Sequence, residues 1–474
     1  MIQYVRGLYE SEGQFYPFVY EKTDGLATLD WINRQPWSDG HVGVWGVSYL
    51  SFCGFEIAST SHPSLKAMIN ISGWADLGTH LTRGGAFRLM DHLPWLIMKT
   101  SGNDRIPSKA WNGIFKTTPL SQFLGGAEEQ AHISGILEEP YPFNDIRIPI
   151  LHVTGWNDYI YRSTLLAYES INKNATAGNH QKIIIGPWAH NQVFSADSTT
   201  YGDVEFGHTS SMGLDSILTL SVAWFDRYIK GKNNMVDSKP RVRFFVMGEN
   251  HWHDTHEWPP ANTVAKKWYL ADTVKTGRLD VSPPASESIF SFEFNPHNPV
   301  PTIGGITGWF HPFNLGVKDQ SPLASRPDIL FFDSAPLSDD LVLAGPIKVE
   351  IYASTDSIDT DFTAKLVEVR PDGYARMIED GIIRTRYRKG LNSSVFITPN
   401  EVYRYQVNLG QTAIRIPKGN ALRLEISSSN FPKFDRNPNT GVDPISATEF
   451  RTAKQKVYMS PKYPSHIVLT VLSK

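Results

Sequence analysis

Residues 41–60, HVGVWGVSYLSFCGFEIAST, set one serine between two apolar runs. The first run is typical of a buried strand, and the second has the composition of a buried helix. A strand that ends at Gly46 and a helix that begins near Tyr49 force a sharp turn at Ser48, which lifts its hydroxyl above the carboxyl edge of a sheet. Gly46 and Ser51 supply the small side chains that such a close approach requires. Taken alone, the stretch fits an ordinary turn equally well.

The character of the chain changes near residue 235. Before it, apolar segments that predict buried strands alternate with amphipathic segments that predict helices, a pattern typical of an α/β domain with a parallel sheet. Residues of about 75–143 interrupt this pattern with short helix candidates and many aromatic side chains, so we expect a helical cap inserted into a domain of residues 1–235. The alternating segments are MIQYV (1–5), DGLATLDWINR (24–34), HVGVWG (41–46), LKAMINISG (65–73), IPILHVTGW (148–156), QKIIIGPWAH (181–190) and GLDSILTLSVAWFDRYIKG (213–231).

After Pro240 no helical period of comparable strength appears. Short, often alternating apolar segments are separated by Pro, Gly, Asn and Asp turns, which predicts an all-β domain of residues 240–474. We expect a sandwich of the jelly-roll type. The segments include RVRFFVMG (241–248), IKVEIYAST (347–355), ALRLEISSS (421–429) and HIVLTVLS (466–473).

The composition excludes several classes of function. With 474 residues, 41% of them hydrophobic and 20% charged, the chain suits a globular protein of two or three domains. A net charge of −3 argues against nucleic-acid binding. The single cysteine, Cys53, excludes an intrachain disulfide and lies in an apolar run, as a buried thiol does. Because no apolar stretch approaches the ~18 residues of a membrane span and no secretory signal is recognisable, we expect a cytoplasmic protein without membrane contact. A homodimer is possible on these observations.

Two further polar residues follow apolar strand candidates. Asp158 comes after ILHVTGWN, and His190 comes after IIIGPWA. Taken singly, the aspartate fits a helix N-cap and the histidine fits a surface loop. Together with Ser48 they give the chain order nucleophile, acid, histidine that α/β-hydrolases place at the carboxyl ends of their strands. We therefore predict an α/β-hydrolase core whose catalytic triad is Ser48, Asp158 and His190.

Each member of the predicted triad has a chemical role. A serine hydroxyl is a poor nucleophile at neutral pH and needs a base within hydrogen-bond reach. His190 would accept the proton of Ser48 and return it to the leaving group, while Asp158 would fix the imidazole tautomer and stabilise the imidazolium. The backbone N–H of Tyr49, at the start of the helix, can donate to the developing oxyanion. We expect no cofactor.

At these residues the chain resembles the CocE/NonD (cocaine esterase-like) hydrolases, relatives of the X-Pro dipeptidyl-peptidases and the α-amino acid ester hydrolases. The resemblance runs over nearly the whole chain, and it implies the same triad, a helical cap and a C-terminal jelly roll beside the site. It also implies that Ser51 replaces a family glycine, a change between small residues that should be tolerated. The motifs are RGLYESEGQF (6–15), QPWSDGHVGVWGVSYL (35–50), HVTGWNDYIYR (152–162), IIGPWAHN (184–191), WFDRYIKG (224–231), GENHW (248–252), STDSIDTDFTAKLVEVRPDG (354–373) and NFPKFDRNPNTG (430–441).

The chain departs from this family before Ser48. Only a strand, a helix and a strand precede the serine, whereas a complete α/β-hydrolase has three further strands and a helix there. In the resembled esterases a tyrosine hydroxyl from that upstream region is the second oxyanion donor, and Tyr4 cannot replace it because it lies within the strand predicted at 1–5. Loss of one such donor costs about 10²–10³ in turnover. We therefore expect an N-terminally truncated core, and an inactive fragment or one chain of a split hydrolase is the alternative to an active enzyme.

The substrate is predicted only as a class, a small-molecule ester or amide. The residues after Asp158 are Tyr159 and Ile160, and GTHLTRG (78–84) contains no acid, so no carboxylate is evident to hold a substrate ammonium. This favours an esterase over an aminopeptidase, with X-Pro dipeptidyl-peptidase or acylase activity as alternatives. An apolar acyl pocket is predicted, although ordinary packing explains each member equally well; its candidates are Trp74, Phe87, Trp95, Trp156 and Ile160.

One further segment has the residue types of a metal site. HWHDTHEW (251–258) holds three histidines beside acids, but its spacing matches no known hydrolytic metal motif. Asp359 and Asp361 would suit calcium, yet a turn of the β domain explains them more simply. We predict no metal.

Overall fold

The computed structural model describes residues 1–101, 110–123, 141–173, 180–190, 192–197, 199–272, 277–308 and 316–473. The helices among them are α1 (Glu21–Asn33), α2 (Tyr49–Ala58), α3 (Leu77–Leu81), α4 (Leu89–Ser101), α5 (Trp111–Lys116), α6 (Tyr161–Asn172) and α7 (Gly213–Tyr228). The strands of the first half are β1 (Val42–Val47), β2 (Leu65–Ile71), β3 (Thr82–Arg83), β4 (Ala86–Phe87), β5 (Ile150–Gly155), β6 (Gln181–Gly186), β7 (Thr200–Tyr201), β8 (Val204–Glu205), β9 (Val242–Val246) and β10 (His251–Thr255).

The α/β domain is built on one six-stranded sheet of order β1-β2-β5-β6-β9-β10. The first five strands are parallel, and β10 returns antiparallel to β9. β5 and β6 are buried along their whole length, which explains their continuous apolar sequences. Parallel strands share one carboxyl edge, so the residues that follow β1, β5 and β6 emerge at the same side of the sheet. The strand and helix predictions for residues 24–231 are confirmed to within a few residues at each end.

Residues 1–5, predicted as the first strand, do not form one. Ile2 is 92% exposed, and the ring of Tyr4 packs on that of Tyr9, with centroids 4.7 Å apart. Arg6 is held by Asp24 of α1 rather than by a neighbouring strand. The apolar residues of this segment alone suggested a strand. A strand, however, needs a neighbouring strand to satisfy its backbone hydrogen bonds, and none of the described strands lies beside this segment.

The sheet also continues beyond the predicted boundary at 235–240. RVRFFVMG was assigned to the β domain, but β9 pairs parallel with β6, with Ile183 opposite Val242. β10, which consists of the first five residues of the HWHDTHEW segment, extends the same sheet. The physical reason is the length of α7, which returns the chain to the sheet edge in position to add one more parallel strand.

The predicted cap of residues 75–143 contains α3, α4 and α5, so its helical character is confirmed where the chain is described; residues 102–109 and 124–140 lie outside the described part. A small hairpin, β3–β4, was not predicted. Its turn at Gly84 and Gly85 packs so tightly on the β domain that a Cβ on Gly84 would lie 2.1 Å from the carbonyl oxygen of Ile382.

The β domain forms one hydrogen-bonded network of eleven described strands, in agreement with the predicted all-β architecture. Its core is apolar, with buried ion pairs of Arg384 to Asp361 at 2.9 Å and to Asp435 at 2.7 Å. The same guanidinium links the β domain to the cap, because it donates to the carbonyl of Gly85 at 3.2 Å. The strands are β11 (Thr263–Asp272), β12 (Gly277–Asp280), β13 (Ser288–Phe294), β14 (Leu330–Asp333), β15 (Leu341–Thr355), β16 (Asp361–Val369), β17 (Ala375–Arg384), β18 (Tyr403–Ile416), β19 (Ala421–Ser427), β20 (Ala453–Met459) and β21 (His466–Leu472).

Candidate active site

Ser48 forms a strained turn between β1 and α2. Its backbone has φ 56° and ψ −121°, which a non-glycine residue rarely adopts. The turn is held from both sides, because Ser48 N–H donates to the carbonyl of Ile71 at 3.0 Å and the Ser48 carbonyl accepts from Ser51 N–H at 3.0 Å. Backbone strain of this kind persists where surrounding structure enforces it, and it fits the sharp strand-to-helix turn that exposes a nucleophile.

Small residues make this turn sterically feasible. A Cβ on Gly46 would lie 2.5 Å from the backbone nitrogen of Ser51, and a Cβ on Gly73 would lie 2.1 Å from the Cβ of Ser51. Ser51 is fully buried; its hydroxyl donates to the Gly46 carbonyl at 2.6 Å and accepts from Ile71 N–H at 3.2 Å. The serine at this position therefore fits because it is small and because both its hydrogen-bonding functions are satisfied.

Asp158 and His190 form a buried pair. Nδ1 of His190 lies 3.1 Å and 3.2 Å from the two carboxylate oxygens of Asp158, and the side chains are 4% and 0% exposed. Asp158 Oδ1 also accepts from Ile160 N–H at 2.9 Å. The Tyr159 ring packs edge-on against the imidazole, with centroids 5.0 Å apart. With Nδ1 facing the carboxylate, Nε2 is the imidazole nitrogen available for proton transfer.

The three predicted residues follow three parallel strands of one sheet. Ser48 follows β1, Asp158 follows β5 and His190 follows β6, all at the carboxyl edge. The structure brings Asp158 and His190 into contact. It describes no hydrogen bond between Ser48 Oγ and the imidazole, so the contact of the serine with this pair stays a prediction.

Tyr49 is anchored by its side chain. Its hydroxyl donates to the carboxylate of Glu21 and accepts from Phe18 N–H at 3.1 Å. Burial raises the pKa of the Glu21 carboxyl above its usual range, and burial together with the Glu21 charge raises the pKa of Tyr49. As the first residue of α2, Tyr49 has a backbone N–H without an intrahelical partner, which is the donor expected for an oxyanion.

Two of the predicted pocket residues, Trp74 and Trp95, lie against Tyr49. Its ring centroid is 5.5 Å from that of Trp95, which stacks on it, and 6.1 Å from that of Trp74. Phe18 also stacks on Trp95, at 5.6 Å. These rings form an apolar wall beside the strained turn, and sequence reasoning missed Phe18 because it lies in an irregular segment.

The other three candidates have different positions. Ile160 is fully buried directly after Tyr159, and Phe87 is partly buried in the cap hairpin, where its N–H donates to Asp435 at 3.1 Å. Trp156 packs against the far end of the α/β sheet, because its indole N–H donates to the Phe245 carbonyl of β9 at 2.8 Å and its ring meets that of Trp258, after β10, at 5.3 Å. The contacts of Trp156 are those of a packing residue.

The cap adds histidines and an arginine that sequence reasoning missed. The His80 ring stacks on Trp74 with centroids 3.8 Å apart, and His92 lies 4.5 Å from His80. Burial lowers the pKa of both imidazoles, so they are neutral at physiological pH. Arg88 bonds Asp91 and the Tyr159 carbonyl, each at 2.7 Å. Polar residues clustered in GTHLTRGGAFRLMDH were the one available signal.

Two negative observations concern the described residues alone. Within them, no group of three or more His, Cys, Asp or Glu side chains is arranged to hold a metal ion; His253 is instead bonded to Glu249 at 2.9 Å. None of their helices combines the length and the apolar character that a membrane crossing requires.

The parallel sheet, the strained serine at its carboxyl edge and the buried Asp–His pair define an α/β-hydrolase. Comparison with known proteins agrees. Residues 1–192 match the X-Pro dipeptidyl-peptidase (S15) family, and residues 233–468 match the X-Pro dipeptidyl-peptidase C-terminal non-catalytic domain. The chain is 32% identical over 518 residues to the cocaine esterase of Rhodococcus sp. (strain MB1 Bresler), a match that covers 100% of this chain and 88% of that protein. The chain belongs to the CocE/NonD family of hydrolases, as the motifs predicted.

Solved structures give the same result. An aminopeptidase from a marine sediment Thaumarchaeota archaeon is 25% identical and superimposes with a TM-score of 0.84, covering 99% of this chain and 84% of that one. An α-amino acid ester hydrolase, also 25% identical, superimposes with a TM-score of 0.75, and the match covers 98% of this chain and 84% of that one. The chain is therefore a serine hydrolase of ester or amide bonds.

Proposed function

We propose that the chain hydrolyses carboxylic esters through an acyl-enzyme formed on Ser48. Ser48 Oγ attacks the carbonyl carbon while Nε2 of His190 accepts the hydroxyl proton. The histidine then protonates the leaving alcohol, and water attacks the acyl-enzyme by the same route in reverse. The observation that carries the proposal is the His190–Asp158 bond at 3.1 Å, which lies at the same sheet edge as the strained Ser48.

The charge of the tetrahedral intermediate needs donors close to the attacked carbonyl. In this proposal the backbone N–H of Tyr49 is one of them, because a helix N-terminus carries free N–H groups and a favourable dipole for an anion. Anchoring of the Tyr49 side chain on Glu21 keeps the donor in place. One such donor is worth about 10²–10³ in turnover.

An ester without a free α-amino group is the preferred substrate class. A substrate ammonium needs an unpaired carboxylate, whereas Asp91, the buried acid of the adjacent cap helix, is already bonded to Arg88 at 2.7 Å. The wall formed by Trp74 and Trp95 instead suits an apolar acyl group. The names of the relatives include an esterase, an ester hydrolase of α-amino acids and an aminopeptidase, so peptidase and acylase activities are the competing outcomes.

The test is covalent labelling with a fluorophosphonate probe, which reacts with activated serines. Wild-type protein is expected to be labelled once per chain, and Ser48→Ala is expected to abolish the label. Ser282→Ala, which changes an exposed serine of the β domain, is the matched control and should be labelled like wild type. Persistent labelling of Ser48→Ala would contradict the assignment of the nucleophile.

A second candidate is a hydrolase that acts only with a further polypeptide segment. β1 pairs with β2 alone among the described strands, which leaves its other backbone edge free, and Trp45 on it is 37% exposed. A cleft of about 570 Å³ separates this edge from α1 and the first residues of the chain. α7 also exposes Leu214, Leu218 and Val222 at helical spacing. A free strand edge beside exposed apolar surface is a pairing site for another strand.

The labelling experiment separates the two candidates. Labelling of the chain on its own supports an autonomous enzyme. A protein that unfolds cooperatively and yet shows no label supports the second candidate, in which the added segment completes the sheet and provides another oxyanion donor.

A further inference from the structure

A small cavity lies where the cap hairpin, the start of α6 and the β domain meet. It is separate from the apolar wall at Ser48, and its walls are unusually rich in cations. Its lining includes Arg83 of β3, Arg88, Tyr159, Arg162 of α6, Asp380 and Lys433.

Three of the four cations have a carboxylate partner. Arg88 is bonded to Asp91 at 2.7 Å. Arg162 is bonded to Glu379 at 2.7 Å, and it also donates to the carbonyl of Asp380 at 2.7 Å. Lys433 is bonded to Asp380 at 2.6 Å. All three pairs are buried, with side-chain exposures of 11% or less.

Arg83 is the exception. Among the described residues its guanidinium has no ion pair and no hydrogen bond, although it faces this cavity. Four cations therefore meet three carboxylates, an excess of one positive charge. Arg83 is partly buried, and this burial, followed by the nearby charges of Arg162 and Arg88, lowers the pKa of its guanidinium well below the usual range. Since a guanidinium stays protonated in proteins, this direction marks an electrostatic cost that a bound anion would relieve.

The size of the cavity limits the ligand. Its volume is about 10 Å³, which is room for one group of the size of a water molecule. We propose that Arg83 binds a small monovalent anion here, either a single halide ion or a single carboxylate oxygen of a longer molecule, at the junction of the hydrolase domain, the cap and the β domain.

The position of this anion site gives it two testable consequences. A bound anion would cross-link three parts of the fold through one guanidinium, so it should stabilise the folded chain. The site also lies behind Tyr159, whose ring contacts the His190 imidazole at 5.0 Å. A substrate that carries a carboxylate could therefore place it on Arg83. A free halide and a substrate carboxylate share the same chemistry, and the experiments below separate them.

The first experiment detects the anion directly. Crystals of the wild-type chain are soaked in sodium bromide, and anomalous diffraction is measured at the bromine edge. A bromide peak in the cavity beside the Arg83 guanidinium is expected. Bromide peaks elsewhere on the protein with none in this cavity would overturn the proposal, and this measurement does not depend on the folding of any variant.

The second experiment follows thermal unfolding at constant ionic strength while chloride replaces gluconate. The carbon next to the gluconate carboxylate carries a hydroxyl group, which makes this end too wide for the cavity. The Tm of wild type should rise saturably with chloride, whereas Arg83→Met should lose this response. Arg147→Met, which changes an exposed arginine ahead of β5, is the matched control and should respond as wild type. An equal chloride response in Arg83→Met would assign the effect to another site and overturn the proposal.

The third experiment identifies the source of the anion and rests on the proposed esterase activity. KM is compared for 4-nitrophenyl butyrate and for the mono-4-nitrophenyl ester of glutaric acid. If the substrate carboxylate occupies the site, Arg83→Met raises KM for the glutarate ester alone, by about tenfold or more, because a charge-assisted hydrogen bond is lost. Equal effects on both esters, together with a bromide peak, identify a free halide as the ligand.

Discussion

The two halves of the candidate site are held by different forces. Ser48 is fixed by steric crowding, since its strained backbone sits where Ser51 and Gly73 pack too closely to admit a larger group. Asp158 and His190 are fixed by hydrogen bonds between buried polar groups. The serine half should therefore be sensitive to added volume, and the histidine half should be sensitive to lost charge.

The largest expected effect tests the histidine half. Asp158→Asn keeps the shape of the side chain and an acceptor for Ile160 N–H, so the fold should persist. It cannot stabilise an imidazolium, and its amide can hold the wrong imidazole tautomer, so kcat/KM for a 4-nitrophenyl ester should fall about 10⁴-fold. The steady-state assay is accompanied by a thermal unfolding scan.

Asp272→Asn, an exposed acid at the end of β11, is the control for that variant and should retain wild-type activity. If Asp158→Asn kept more than a tenth of the wild-type kcat/KM, the histidine would not depend on this carboxylate, and the contrast between the two halves would fail.

The next effect tests the serine half through volume. Ser51→Val adds bulk beside Gly73 and removes the hydrogen bonds to Gly46 and Ile71. The free energy of unfolding should fall by about 3 kcal/mol, measured by urea denaturation, from overpacking and unsatisfied backbone groups together. Ser51→Ala loses the hydrogen bonds without added bulk and should lose less. Equal losses in the two variants would show that crowding is not what holds the turn.

The same contrast explains which parts of the fold the sequence could predict. Each strand and helix that frames the site is a local apolar run, so the elements around Ser48 were evident. Residues 1–5 were misassigned because a single apolar run does not reveal whether a partner strand exists. β9 was placed in the wrong sheet because its residue pattern is compatible with a strand of either domain. Only its pairing with β6 in the structure assigns it to the α/β sheet. The two-residue strands of the cap hairpin are too short to give any period.

For the site, position after a strand was the informative signal. It identified Ser48, Asp158 and His190 as candidates. It could not assign Trp156, which also follows a strand but whose indole N–H is bonded to Phe245. His80 lies in a segment without periodicity, and its stacking on Trp74 depends on tertiary packing that no spacing encodes.

A smaller effect is expected from the hydrogen bonds that hold the Tyr49 side chain, next to the strained serine. Tyr49→Phe leaves Glu21 without its donor and Phe18 N–H without its acceptor. Loss of these buried bonds should lower the free energy of unfolding by about 1–3 kcal/mol. Because the backbone N–H of residue 49 is unchanged, the accompanying loss of kcat/KM should be far smaller than that of Asp158→Asn. Introducing Glu21→Gln into Tyr49→Phe removes the stranded charge and should recover part of the stability; no recovery would place the cost elsewhere.

The smallest effect concerns pH and the helix behind the nucleophile. Burial, with a contribution from Glu21, raises the pKa of Glu56 on α2 from 4.5 to about 7. A carboxyl whose pKa is raised by folding stabilises the fold while it is protonated, so its contribution is lost as pH rises from 4.5 through 7. Glu56→Gln cannot ionise and should remove this loss, so that it is more stable than wild type at pH 8 by about 1 kcal/mol, with the two converging near pH 4.5. Urea denaturation across this range, with the exposed Glu10→Gln as control, measures the difference; a constant offset at every pH would mean that Glu56 is not the titrating group.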